Sequence, residues 1–345
     1  MRKILQGLVA TLLASAGSAL PAMAQEQPLL QTPDQIVVAA PAADWVRIAP
    51  SDLMVMDLAP DAAGRPRRVV IQLVPAPFSQ GWVENIRRLV SEHWYDGIAV
   101  VRVQDNYVVQ WGDPDGEVPE KAKPLPEGLN VVPESEYATT VKGVEALIRP
   151  GANGTSERGT LLTKTGKRSV TFLSTDHDAY ANVTGFVDGW PFAYGVSNEQ
   201  GLFPTHGFAW PVHCYGMVGV GRNVSPDTGT GAELYAVIGH APRQLDRNIA
   251  LVGRVIAGIE HLSSLPRGTG ELSFYETPEE RTPIVSVRMG DDVSGLPAYA
   301  YLSTESASFA AYADKRANRK DAFYIQPAGG VDVCNVPVPI RAVKP

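Results

Sequence analysis

Residues 95–114 read YDGIAVVRVQDNYVVQWGDP, and they constrain the rest of the chain more than any other stretch. Two apolar runs, 98–103 and 107–111, are broken by Gln104, Asp105 and Asn106. Val, Ile, Tyr and Trp favour strands and Asp-Asn favours a turn, so the stretch reads as two strands joined tightly. Arg102 lies inside the first run and Gln110 inside the second. A charge in an apolar strand either faces solvent or is held in a pocket with its donors satisfied.

The chain of 345 residues is long enough for a full core and for two domains. Arg2 and Lys3 precede a short apolar run, and Ala22-Met23-Ala24 offers a small-x-small cleavage site, the pattern of a secretory leader over 1–24. The run is too short for a stable anchor, and no later stretch approaches the ~20 apolar residues of a membrane span. The net charge is −7, and losing Arg2 and Lys3 takes it to about −9, which argues against nucleic acid as a partner. The expected location is the bacterial periplasm. There Cys214 and Cys334 have two options, a disulfide or two separate buried thiols.

In chain order, 25–50 reads as a proline-punctuated arm, only partly ordered. Strands over 53–58 and 68–74 read as a hairpin. Ser79 can cap a helix over 82–93, whose Val83, Ile86, Leu89 and Val90 share one face. Residues 115–126 are loop-like, and a small helix is expected near 134–146. Strands are expected over 168–173, 183–187, 216–220, 232–238 and 251–255. A helix follows over 256–265, stopped by Pro266. A last strand spans 284–289, with Val285, Val287 and Met289 facing inward. A further helix over 305–318, capped by Ser303 or Thr304, puts Phe309, Tyr312 and Ala313 on one side.

Tyr95-Asp96-Gly97, Arg102, Tyr107, Gln110, Gly112-Asp113 and Leu245-Asp246, in that order, resemble the motifs of cyclophilin-type peptidyl-prolyl cis/trans isomerases. Asn85, the block 216–222, the strand 232–238 and Leu251-Val252-Gly253-Arg254-Val255 are similar to that family as well. The resemblance implies a mostly β fold: a closed eight-stranded antiparallel barrel with two capping helices over 51–290. It leaves 115–212 as an insert packed on the barrel and 291–345 as an extension that Cys334 can staple to Cys214.

The resemblance also implies a site. Arg102 and Gln110 match the catalytic positions, and Tyr107, Gly221, Glu233, Tyr235, Leu245 and Ile249 match substrate-binding ones. No cofactor is implied, and the partners are proline-containing segments of exported proteins. The chain departs from the family at Val100 and Val101 (phenylalanine and histidine), Trp111 (glycine), Glu233 (glutamine), Gln244 (tryptophan in some members) and Ile249 (histidine). A carboxylate at 233 lacks the amide's donors when ionised. Two functions follow: an isomerase, favoured by Arg102 and Gln110, or a peptide-binding module without turnover, favoured by Glu233 and Ile249.

Other constellations are thin. Asp176-His177-Asp178 has metal-ligand residue types, but three neighbours in a loop rarely converge on one ion. His206 and His213 add little, no HExxH motif is present, and Ser174 and Ser225 lack a Gly-x-Ser-x-Gly setting.

Overall fold

The computed structural model describes residues 31–147, 156–163, 166–173, 178–196 and 207–343. The 53–74 hairpin forms, with Leu53–Leu58 antiparallel to Arg67–Leu73. It is part of a closed eight-stranded antiparallel barrel. Around the ring, Met217–Val220 neighbours Leu234–Val237, then Val108–Gly112, Ala99–Val103, Thr282–Met289, Leu53–Leu58, Arg67–Leu73 and Leu251–Ala257, which returns to Met217–Val220.

The Ala99–Val103 and Val108–Gly112 strands are the tightly joined pair, turned by Asn106 at φ 50°, a left-handed conformation that asparagine tolerates. The pairing shifts register between Val100 and Arg102, and such a bulge re-aims a strand's side chains. Thr282–Met289 carries a second bulge between Ile284 and Ser286. It breaks the simple alternation: Ile284 and Val287 are buried, Met289 is half-buried against the core, and Val285 is 57% exposed. The expectation that Val285 faces inward is therefore corrected.

Helix Gln80–Ser91 buries Trp82, Val83, Ile86, Leu89 and Val90 against the barrel, as its periodicity predicts. Ser79 precedes it in a left-handed conformation and its hydroxyl does not cap. Instead the Gln80 side chain donates to the carbonyls of Val74 and Phe78, at 3.1 and 2.7 Å. The second helix, expected over 256–265, is a single turn, Glu260–Ser263, because the preceding strand runs on to Ala257.

The insert is itself a barrel, which the sequence reading did not anticipate. Thr139–Leu147, Ser156–Thr163, Gly166–Leu173, Val183–Val187, Trp190–Val196 and Gly207–Pro211 form a closed six-stranded antiparallel ring. The helix expected near 134–146 is a 3-10 turn, Glu134–Tyr137, leading into the Thr139–Leu147 strand. Thr139, Thr140 and Val141 are β-branched in succession, and such residues favour the pleated surface over a helix. Val141, Val170, Phe172, Phe186 and Phe192 are buried and continuous with the core of the first barrel.

Arg254, fully buried, ties the two barrels together. Its Nε and Nη2 donate to Gln72 Oε1 (3.0 and 2.7 Å), and its Nη1 donates to the Gly189 carbonyl of the inserted barrel (2.6 Å). The guanidinium also lies 4.4 Å from the Trp190 ring centroid. Burial pulls its pKa below the usual value; carbonyl dipoles and a ring face compensate the charge.

Both ends of the described chain are ordered. Of the arm expected over 25–50, residues 31–50 are described and hold helix Pro33–Ala39 and strand Trp45–Arg47. That strand joins Ala298–Leu302 and Ile340–Val343 in a three-stranded sheet. Helix Ala307–Ala317 is capped by Ser306, whose hydroxyl accepts from the Phe309 N–H at 3.0 Å. Phe309 packs edge-on against Phe186 of the inserted barrel, 4.9 Å between centroids. A disulfide joins Cys214 to Cys334. No helix among the described residues is long and apolar enough to cross a membrane. The expected leader, residues 1–24, lies outside the described residues.

Candidate active site

The bulge at Val100–Arg102 turns Arg102 onto the face it shares with Gln110, its register partner on the next strand. Arg102 Nε donates to the Leu272 carbonyl (2.7 Å), Nη1 to Gln110 Oε1 (3.1 Å) and Nη2 to Gln104 Oε1. Its guanidinium lies between two rings, 5.7 Å from the centroid of Tyr107 and 5.3 Å from that of Phe274. Three of its five N–H groups are used, which leaves two for a ligand. Burial lowers its pKa, with Tyr107 and Glu233 pulling the other way, and a guanidinium so far above neutrality stays charged.

Gln110 relays this contact. Its oxygen accepts from Arg102 and its amide nitrogen donates to Glu233 Oε1. Glu233 is mostly buried, and burial raises its pKa above the ordinary carboxylate value, only partly countered by Gln110 and Arg102. Its side chain fills the space that two glycines leave. A Cβ at Gly221 would sit 2.8 Å from Glu233, and one at Gly112 would sit 3.1 Å from it.

Next to this polar row lies a small apolar cluster. Val108, Tyr235 and Val237 are buried, and Tyr107, Leu245 and Ile249 pack against them, half-buried. Four residues singled out from the sequence, Tyr107, Tyr235, Leu245 and Ile249, thus meet in one place. Gly219 makes room for Tyr235, because a Cβ there would fall 2.3 Å from its hydroxyl.

His213, which adds little when read in sequence, is hydrogen-bonded to the Tyr235 hydroxyl and holds it in position. His213 Nδ1 lies 2.9 Å from Asp246 Oδ1, and Nε2 lies 2.9 Å from the Tyr235 hydroxyl. The carboxylate must accept, so Nδ1 carries a proton and donates to it, while Nε2 shares a hydrogen bond with the Tyr235 hydroxyl. Burial raises the Tyr235 pKa well above its ordinary value, so the hydroxyl remains a donor. Arg243 Nε donates to Asp246 Oδ2 (2.7 Å), and its two Nη atoms each donate to Asp178, both at 3.0 Å. This buried row runs from the apolar cluster to the inserted barrel. The link between 213, 235 and 246 is tertiary, so no local pattern announces it.

Burial alone would raise the Asp246 pKa; bonds from His213 and Arg243 hold it below the ordinary value. A depressed carboxylate contributes stability that is full above the unfolded value, about 3.9, and is lost as pH falls through the folded value. Asp246→Asn is expected to destabilise the fold by about 1–3 kcal/mol at pH 7, since it weakens the charge-assisted bonds from His213 and Arg243, whose remaining carboxylate partner is Asp178. In urea unfolding, the gap between variant and wild type should narrow below about pH 4; a gap independent of pH would contradict this assignment.

Asp178 is the one member of the Asp176-His177-Asp178 run that is described, and its carboxylate is taken up by Arg243. Among the described residues no group of three His, Cys, Asp or Glu is placed to hold a metal.

The family model described as cyclophilin type peptidyl-prolyl cis-trans isomerase/CLD matches residues 66–289. The chain belongs to that family of isomerases. Among solved structures, cyclophilin AquaCyp293 from Hirschia baltica is similar over 92% of this chain and 100% of its own, with a TM-score of 0.55 and 19% identity. That coverage takes in the inserted barrel, and at this identity the likeness concerns the fold. A Cryptosporidium parvum cyclophilin type isomerase, crystallised in the presence of the dipeptide ala-pro, aligns with 68% of this chain and 98% of its own, at 11% identity and a TM-score of 0.34. No curated protein sequence matches the chain.

Proposed function

We propose that the chain turns over Xaa-Pro bonds of exported proteins, with Arg102 stabilising the twisted amide. The observation that carries this reading is the guanidinium fixed between Tyr107 and Phe274, braced by Gln110, with two N–H donors left beside an apolar cluster. The pyrrolidine ring of the substrate occupies the cluster of Tyr107, Tyr235, Leu245 and Ile249. Amide resonance sets a rotational barrier of about 18–20 kcal/mol for an ordinary peptide bond. A donor near the prolyl nitrogen favours its pyramidal form and weakens that resonance. It binds the twisted state better than either planar one, which is what a catalyst requires. Gln110 holds Arg102 and faces the substrate backbone beside Gly221. Export is supported by the leader-like residues 1–24 and by the Cys214–Cys334 disulfide, a bond that persists in oxidising compartments.

The reading is tested by adding the protein to a refolding reaction whose slow phase is limited by an Xaa-Pro bond. Acceleration in proportion to the amount added is expected; an unchanged slow phase counts against turnover.

A second reading, a peptide-binding module without turnover, is favoured by one observation. Glu233 accepts from the amide of Gln110, and an ionised carboxylate offers substrate no donor. The two readings differ on Glu233→Gln. The new amide oxygen can still accept from Gln110, and its N–H groups become available to a substrate carbonyl. If the chain is an isomerase, kcat/KM should rise by about threefold to tenfold, the worth of one hydrogen bond. Because burial raises the Glu233 pKa, wild-type activity should climb as pH falls towards it and the acid becomes neutral, and this slope should vanish in Glu233→Gln. A pH profile identical in both proteins would remove Glu233 from the site.

A further inference from the structure

At Arg102 the edge of strand Ala99–Val103 is closed by a strap rather than by a strand. Thr282–Met289 pairs with it only at Ala99 and Val100, and residues 268–275 take over from there. The Gly268 N–H donates to the Val103 carbonyl at 3.0 Å, and the Tyr275 N–H donates to the Val101 carbonyl at 2.9 Å. Between these anchors Phe274 is the antiparallel neighbour of Arg102. Arg102 therefore has Gln110 on one side and the strap on the other.

Core burial does not explain the tip of this strap. Tyr275 is buried, but Leu272 is 64% exposed and Phe274 38%. Leu272 and Ser273 are successive non-glycine residues in the left-handed region, at φ 51° and 64°. That conformation costs energy and persists only where its surroundings enforce it. Here the Gly270 N–H donates to the Phe274 carbonyl (2.9 Å) and the Ser273 N–H to the Gly270 carbonyl (3.0 Å). Gly268 lets the strap fold back on itself, because a Cβ there would lie 1.9 Å from the Ser273 carbonyl oxygen. The result of the turn is local: the Leu272 carbonyl is aimed at Arg102 Nε, 2.7 Å away, and the Phe274 ring is set 5.3 Å from the guanidinium.

The geometry assigns Phe274 the part of a positioning residue for Arg102, with the Leu272 carbonyl as the fixed end of the same device. This rests on Arg102 acting on the amide as proposed above. A guanidinium on a long side chain turns freely unless it is held. The Leu272 carbonyl, Gln110 and Gln104 take one N–H from each of its three nitrogens, and the ring face holds the plane against rotation. The two N–H groups left over, one on each Nη, then keep one direction. A donor aimed in advance spares the reaction the cost of ordering it.

The test uses the full chain with Phe274→Leu, which keeps apolar bulk and loses the ring face, and Phe274→Tyr, which keeps the face. Both should unfold in urea close to the wild-type midpoint, since the side chain is partly outside the core. With a short Ala-Pro peptide, kcat should fall about threefold to tenfold in Phe274→Leu while KM stays within about twofold. Phe274→Tyr should stay within about twofold of wild type on both. The second readout is the Arg102 Nε–H resonance, assigned by its loss in Arg102→Lys. Its exchange with water should be at least about threefold faster in Phe274→Leu and unchanged in Phe274→Tyr. A kcat or an Nε–H exchange rate that ignores the ring overturns the assignment, and so does a raised KM with kcat intact, which would make Phe274 a substrate contact. No turnover in the wild type would sink the isomerase reading, while Nε–H exchange still decides whether the strap holds Arg102.

Discussion

Replacing Arg102 with alanine is expected to lower kcat/KM for a short Xaa-Pro peptide by at least about tenfold, and by up to about a hundredfold. The figure follows from a hydrogen bond to a charged donor, worth about 1.5–3 kcal/mol, present in the twisted state and weaker in the planar ones. Arg102→Lys should recover little of the loss. Lysine carries the charge but not the planar fork that reaches Leu272, Gln110 and Gln104 at once. Peptide affinity should change less than turnover in both variants, because the apolar cluster that takes the ring is left intact. Equal turnover in wild type and Arg102→Ala would move the chemistry away from this arginine. Near-UV circular dichroism on the same samples checks that the fold survives.

The second large effect concerns stability. Cys214 and Cys334 are 120 residues apart in sequence. In the chain-entropy picture, closing a loop of that order restricts the unfolded chain by about 4.7 kcal/mol. The bond also fixes the C-terminal segment where two other contacts are modest. Asp332 caps the Cys334 N–H at 2.8 Å, and its carboxylate lies 3.9 Å from Arg243 while half exposed. The paired variant Cys214→Ser, Cys334→Ser should therefore be less stable by about 3–5 kcal/mol in urea unfolding. Limited proteolysis should cut it first within residues 319–343, ahead of either barrel. A loss under about 1 kcal/mol would mean that the extension is held by its sheet and by Phe309 rather than by the bond.

The closure of the first barrel was expected from the resemblance to cyclophilins, while several of its elements were legible because their signals are local. The two strands around Asn106, the apolar face of helix Gln80–Ser91 and the paired motif residues all sit within a few positions of one another. The misreadings have physical causes of a different kind. A bulge at Ile284–Ser286 turned Val285 outward, and bulges leave little trace in an alternating sequence. Two strands of the inserted barrel, 168–173 and 183–187, were expected, but Thr139–Leu147 and Ser156–Thr163 are largely polar, and closure is a property of pairing between strands rather than of any one of them. Within the site, Arg102, Gln110 and the ring-binding residues were found from their order in the chain. His213 and the Leu272–Phe274 strap were not, because they reach Tyr235 and Arg102 only through the fold.

Turnover is read most directly from the cis/trans exchange rate of a short Ala-Pro peptide, followed by proton exchange spectroscopy with the protein added. Uncatalysed exchange takes tens to hundreds of seconds. The protein is expected to bring cross-peaks into view on a sub-second mixing time, in proportion to its concentration. A folded protein that leaves the rate untouched, across several residues placed before the proline, would contradict it.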